Sequence, residues 1–184
     1  MKLSIQHIAA AAALALSSAA TMGATLTFQG ATFTSSFSGN DLTIEIDAAP
    51  VHLTGDWATA VSINGIEVKN VGSYTGATLS GPGGGWTYHP NELNASNCSG
   101  GNDPAGACFS SAPVALTDNM LFTFHYTGGP FDFSAPTLKV HFLDADGHKQ
   151  GSLLSLPIPE PGTYALMLGG LGLIGFMARR RRIS

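Results

Sequence analysis

The chain predicts an all-β protein, an antiparallel β-sandwich or jelly-roll-like domain, on three observations. Apolar and polar residues alternate with a period of two: Leu42, Ile44 and Ile46 with Thr43, Glu45 and Asp47, and Phe122, Phe124 and Tyr126 with Thr123 and His125. Leu138, Val140 and Phe142 alternate in the same way with Lys139 and His141. Between residues 25 and 156 no amphipathic helical pattern of ten residues appears, so the apolar faces belong to strands. One buried and one polar face, repeated over seven to nine short strands, is the pattern of two sheets packed face to face.

Residues 1–24 read as a signal peptide. Lys2 supplies the positive end, Ile8 to Leu16 the apolar stretch, and Ser17 to Ala24 a small-residue region suited to signal peptidase. Cleavage fits after Ala20, with Ser18 at −3, or after Ala24, where Met22 at −3 is less regular. The chain is therefore expected to pass through the export machinery, and residues 25–156 form the exported domain.

Within that domain, Thr25–Phe28, Ala31–Phe37, Ala58–Ile63 and Ile66–Val71 are β-prone, with Asn64-Gly65 reading as a hairpin turn between the last two. Ser80 to Pro113 is loop-like, with Gly81-Pro82-Gly83-Gly84-Gly85 and several asparagines. So long a connection is expected to carry short strands or a functional surface. Cys98 and Cys108 are the only cysteines, and in an oxidising compartment they read as a local disulfide that fixes a loop.

Charge excludes one class of partner. Three lysines (Lys69, Lys139, Lys149) stand against eleven carboxylates in residues 25–156, leaving −8, whereas the whole chain carries −4. With no basic patch to displace counterions from phosphate, nucleic acid is not an expected partner.

The last 26 residues have three parts. Pro159, Glu160 and Pro161 form an extended motif, since proline lacks the N–H and constrains its neighbour. An uncharged run from Tyr164 to Ala178 follows, with a hydrophobic helix placed at about 162–178. At about 1.5 Å per residue its 15 residues reach ~22 Å, short of the ~30 Å hydrocarbon layer unless Gly162 and Thr163 join and the arginines snorkel. Arg179, Arg180, Arg181 and Arg182 act as a cytoplasmic stop, placing the domain outside the inner membrane.

Residues 157–184, with PEP at 159–161, an apolar Gly/Leu-rich segment and a terminal arginine cluster, resemble the PEP-CTERM sorting tail. The resemblance implies an exosortase, a membrane cysteine transpeptidase, as processing partner. It also implies membrane anchorage with the N-terminal side out before processing, and a surface or extracellular destination afterwards. It is confined to the tail.

The domain's own chemistry is sparse. Gly170-Leu-Gly172-Leu-Ile-Gly175 matches G-x-G-x-x-G but lies inside the apolar tail and follows no strand, so helix packing is the better account. Asp144-Ala145-Asp146-Gly147 has the first half of a calcium-loop pattern, but His148 follows and no glutamate occurs before Glu160. A plain turn leads, with calcium on Asp144 and Asp146, joined by Asp132 or Asp103, as the alternative; no other cofactor is expected. His125 and His141 would form a metal pair only if their strands were neighbours. Trp86 and Tyr88 after the glycine run, with Trp57 and Tyr74, are candidates for stacking on sugar rings, against the simpler reading that the tryptophans close the ends of the sandwich.

No HExxH or GxSxG motif is present, so no catalytic residue is named and an enzyme is not expected. The leading reading is a structural protein of the cell surface, extracellular matrix or biofilm. A carbohydrate-binding module holding exopolysaccharide is the alternative, and an anchored periplasm-facing protein or hydrolase comes third.

Overall fold

The computed structural model describes residues 24–104, 106–133, 135–151, 156–157 and 170–172. The signal peptide before residue 24, the Pro159-Glu160-Pro161 motif and Arg179 to Arg182 lie outside the described residues. Among the described residues no helix is long and apolar enough to cross a membrane.

Among the described residues, ten strands form two antiparallel five-stranded sheets packed as a sandwich. They are β1 (Ala24–Phe28), β2 (Ala31–Ser38), β3 (Asp41–Asp47), β4 (Ser62–Lys69), β5 (Gly76–Ser80), β6 (Thr87–His89), β7 (Gly106–Ala115), β8 (Met120–Thr127), β9 (Thr137–Leu143) and β10 (Leu156–Pro157). The first sheet runs β1-β2-β3-β8-β5 and the second β10-β9-β4-β7-β6. In each, the apolar set of the alternation faces inward. Phe33, Ile44, Ile46, Phe122 and Phe124 of the first sheet meet Ile63, Ile66, Phe109 and Phe142 of the second, all essentially inaccessible. Each such side chain stabilises the fold by roughly 1.5–3 kcal/mol.

Asn64-Gly65 is not a hairpin turn. Both residues lie within β4, where the pairing with β7 and β9 shifts register between Ile63 and Gly65. In a regular strand, Ile63 and Ile66, three apart, would face opposite sides; the β-bulge brings both into the core. Ala58–Ile63 is corrected as well, because the strand begins only at Ser62. Before it, a 3-10 turn at Gly55–Trp57 buries the indole of Trp57 against Phe28, Phe33 and Phe142, with ring centroids 5.3, 6.2 and 4.5 Å away. The Ser80–Pro113 stretch carries strand: β6, and most of β7, whose Pro113 lies beyond the last residue paired with β6.

Candidate functional site

The two outer faces of the sandwich differ. On the first sheet the outward residues are hydroxyl-rich, with cross-strand pairs Thr25–Thr34 (3.2 Å), Thr27–Thr32 (3.0 Å) and Thr43–Thr123 (3.4 Å) between side-chain oxygens. On the second sheet the outward Glu67 of β4, Cys108 of β7, and Lys139 and His141 of β9 are buried, although the alternation alone would leave them in water. The segment between β6 and β7 folds over them. Glu92 N–H donates to Gly101 O and Gly100 N–H to Glu92 O, both at 2.9 Å, closing this segment into a hairpin-like loop.

Four contacts hold the loop down. Cys98 is disulfide-bonded to Cys108 of β7, as the cysteine spacing predicts. Asn97 Nδ2 donates to Asn64 O at 3.0 Å, at the bulge. Leu93 N–H donates to Glu67 Oε2 at 3.2 Å. Ala95 O lies 3.1 Å from His141 Nε2, and Asn64 Oδ1 lies 2.7 Å from His141 Nδ1. Gly65 is the seat of this docking, because a Cβ there would lie 2.3 Å from Asn97 Oδ1 and 2.9 Å from Leu93 Cδ1.

Under the loop lies a charged cluster that sequence reading did not find. Glu67 and Lys69 come from β4 and Lys139 from β9, while Glu92 and Asp103 come from the loop. Lys69 Nζ is 2.5 Å from Asp103 Oδ2 and 3.3 Å from Glu92 Oε1. Lys139 Nζ is 3.5 Å from Glu67 Oε2 and pairs also with Glu92 Oε1. The Glu67 side chain is wholly inaccessible, and its Oε1 has no hydrogen-bond partner among the described residues. Burial raises the Glu67 carboxyl above its ordinary range, against the Leu93 N–H bond and the nearby lysines, which act to lower it. Bonds from Lys139 and Lys69 hold Glu92 below the ordinary range. For Lys69, burial acts to lower the ammonium, but the bonds to Asp103 and Glu92 outweigh it and leave it raised. The available signal was Glu67-Val68-Lys69 at period two opposite Lys139, but it required knowing that β4 and β9 pair, with Glu67 facing Lys139.

The aromatic candidates separate by exposure. Trp57 is core. Trp86 is half-buried; its Nε1–H donates to Pro82 O at 3.0 Å and its ring stands edge-on to Phe122, with centroids 5.6 Å apart. Tyr74 donates from its hydroxyl to Gly106 O at 2.6 Å, and burial and a hydrogen bond with Tyr88 raise its phenol. Tyr88, on the edge strand β6, is 37 % exposed and packs its ring on Phe109.

Asp144, Asp146 and His148 bring ligand atoms within 4.8 Å of one another. Asp144 also organises a turn: its Oδ1 accepts from Asp146 N–H (3.0 Å) and His148 N–H (2.8 Å), and its Oδ2 accepts from Gln150 Nε2 at 2.6 Å. Neither Asp103 nor Asp132 joins this group. Asp103 meets Lys69, and Asp132 N–H donates to Val71 O, at the end of β4 that pairs with the start of β9, while Asp144 follows the end of β9. His125 and His141 are not neighbours either. His125 lies on the first sheet, exposed, with Nδ1 2.6 Å from Asp41 Oδ1, and His141 lies under the loop on the second.

At the other end of the first sheet, Gly30, Thr32, Asp47, His52, Asp118 and Asn119 line an open depression of about 360 Å³. Asp47 Oδ1 accepts Asn119 N–H at 2.6 Å and Asp118 Oδ1 accepts Ala49 N–H at 3.0 Å, so its carboxylates also tether loops.

A comparison with curated proteins gives no match. Residues 157–182 match the family profile described as the PEP-CTERM protein-sorting motif, a match confined to the tail. The chain thus carries a PEP-CTERM sorting signal, which implies an exported, membrane-processed protein with an exosortase as its processing partner.

Proposed function

We propose that the sandwich is a structural, non-catalytic component of the cell surface or extracellular matrix, delivered by its tail. The observation that carries this reading is the junction at residue 157. The sorting motif begins there, and Leu156–Pro157 is still paired, as β10, with Leu138 and Thr137 of β9. The folded domain therefore passes into the sorting segment without a spacer. Cleavage near Pro159–Pro161 would release the domain essentially whole, leaving the apolar segment and Arg179 to Arg182 behind. The loop locked over the second sheet supports a mechanical role, as its acidic cluster binds the loop to the sheet. At the other end, Ala24 is a buried residue of β1 opposite Ser35, which supports signal-peptide cleavage after Ala20 over cleavage after Ala24.

Intact mass and terminal peptide mapping of the protein recovered from its own cells test this reading. The expected result is a chain starting near Thr21 and ending near Pro159–Pro161, found outside the inner membrane. A chain still ending at Ser184 in the membrane fraction refutes it.

The exposure of Tyr88 on an edge strand, beside half-buried Trp86, favours carbohydrate binding as the second reading. Retention on immobilised exopolysaccharide, abolished in Tyr88→Ala with the fold intact, would place this reading first; equal retention of both proteins would remove Tyr88 from consideration.

A further inference from the structure

We propose that Lys69 and Asp103 join in an intramolecular isopeptide bond, with Glu67 as the proton carrier, so that the loop over the second sheet is fastened by two covalent links. This goes beyond the sorting and surface role and does not depend on it.

Three observations converge. Lys69 Nζ already contacts the Asp103 carboxylate at 2.5 Å, with both side chains largely withdrawn from water, at 22 % and 15 % exposure. Glu67, two residues from Lys69 on the same face of β4, is wholly buried, and its Oε1 has no hydrogen-bond partner among the described residues. Glu67 Oε1 and Asp103 Oδ2 also flank one point: a Cβ built on Gly106 would lie 2.5 Å from the first and 3.0 Å from the second. Only a residue without a side chain allows the two carboxyl groups to approach there. Tyr74, bonded to Gly106 O, holds that backbone in place.

The condensation balances without a co-reactant. In the reactive form the Lys69 ammonium has passed one proton across the contact to the Asp103 carboxylate, giving a neutral amine and a neutral acid. The amine lone pair attacks Asp103 Cγ, forming the C–N bond. The Glu67 carboxyl protonates the departing hydroxyl and recovers a proton from the nitrogen; one water leaves, an amide remains, and nothing is oxidised or reduced. Glu92 is the less suitable acyl donor. It is 42 % exposed and is held ionised by both lysines, so it serves as their counter-charge.

The test is peptide mapping of the full chain, exported and purified under reducing conditions. The expected product is one tryptic peptide running through Lys69 to Lys139, uncleaved after Lys69 and lighter by one water than its sequence requires, which a second protease cutting between 69 and 103 resolves into a linked pair joining Lys69 to Asp103. Lys69→Arg and Asp103→Ala should each abolish it. Glu67→Gln, of the same size, should slow its formation by about a hundredfold or more, the usual scale of a lost acid–base group. Unlinked wild-type peptides of full mass overturn the proposal, and so does a link mapped to Lys139 and Glu92. An unchanged rate in Glu67→Gln removes Glu67 from the mechanism. Because the wild-type spectrum alone is decisive, a variant that fails to fold does not obscure the answer.

Discussion

Replacing both Cys98 and Cys108 by alanine frees the loop from β7 while leaving its hydrogen bonds available, and so measures the disulfide's contribution. The two cysteines are 10 apart in sequence. Chain entropy for a loop of that length gives about 9 cal/mol/K, or about 2.7 kcal/mol at 25 °C. A domain of about 130 residues unfolds with an entropy near 0.27 kcal/mol/K, so the expected loss in Tm is about 10 °C. Some further loss follows from the small satellite core of Leu93, Cys98 and Cys108, which alanine fills incompletely. The assay is thermal unfolding followed by circular dichroism, on the double variant and on wild type with and without reductant. The reduced wild type should approach the double variant. A shift below about 3 °C would refute the reasoning, because it would mean that the hydrogen bonds and ion pairs hold the loop without the disulfide.

Gly65→Ala pushes a methyl into Asn97 and Leu93, so it should destabilise the domain by about 1–3 kcal/mol in urea unfolding; an unchanged midpoint would show that the loop does not rest on the bulge. For pH, burial holds His141 below its ordinary value of 6.5, against the Ala95 carbonyl, which acts to raise it. The unfolded chain therefore takes up its proton first, and stability is lost as pH falls below 6.5 towards the folded-state value. Glu67 acts in the opposite sense. Its raised pKa contributes stability below 4.5 that is lost as pH rises through the folded-state value. The difference in unfolding free energy between wild type and His141→Gln, taken between about pH 7 and pH 5, isolates the histidine; parallel profiles would exclude it as the source of the slope.

The tail and the sheets were legible in the sequence for different reasons. Pro159-Glu160-Pro161, the apolar run and the arginines are a linear signal, read by membrane and enzyme in chain order, so no folding is needed to interpret them. The alternation at Leu42–Asp47, Phe122–Tyr126 and Leu138–Phe142 is local because a strand's side chains change sides at every residue. The cysteine pairing was legible too, since two cysteines in an oxidising compartment have one partner each.

Other features depended on which segments meet. Asn64-Gly65 has the composition of a hairpin turn, but β7 and β9 pair on either side of it and keep the chain extended, so the extra residue becomes a bulge. His125 and His141 look equivalent in sequence, each a polar residue in an alternating strand. One faces water and the other is buried, because a loop covers only the second sheet. The Glu67, Lys69, Lys139, Glu92 and Asp103 cluster draws on β4, β9 and the loop, and none of its members is unusual where it stands in the chain. Sequence alone determined the strand pattern, the disulfide and the export address, which are properties of neighbouring residues. Tertiary structure decided which polar face is buried and which charges share it, because burial and pairing arise only when distant segments pack.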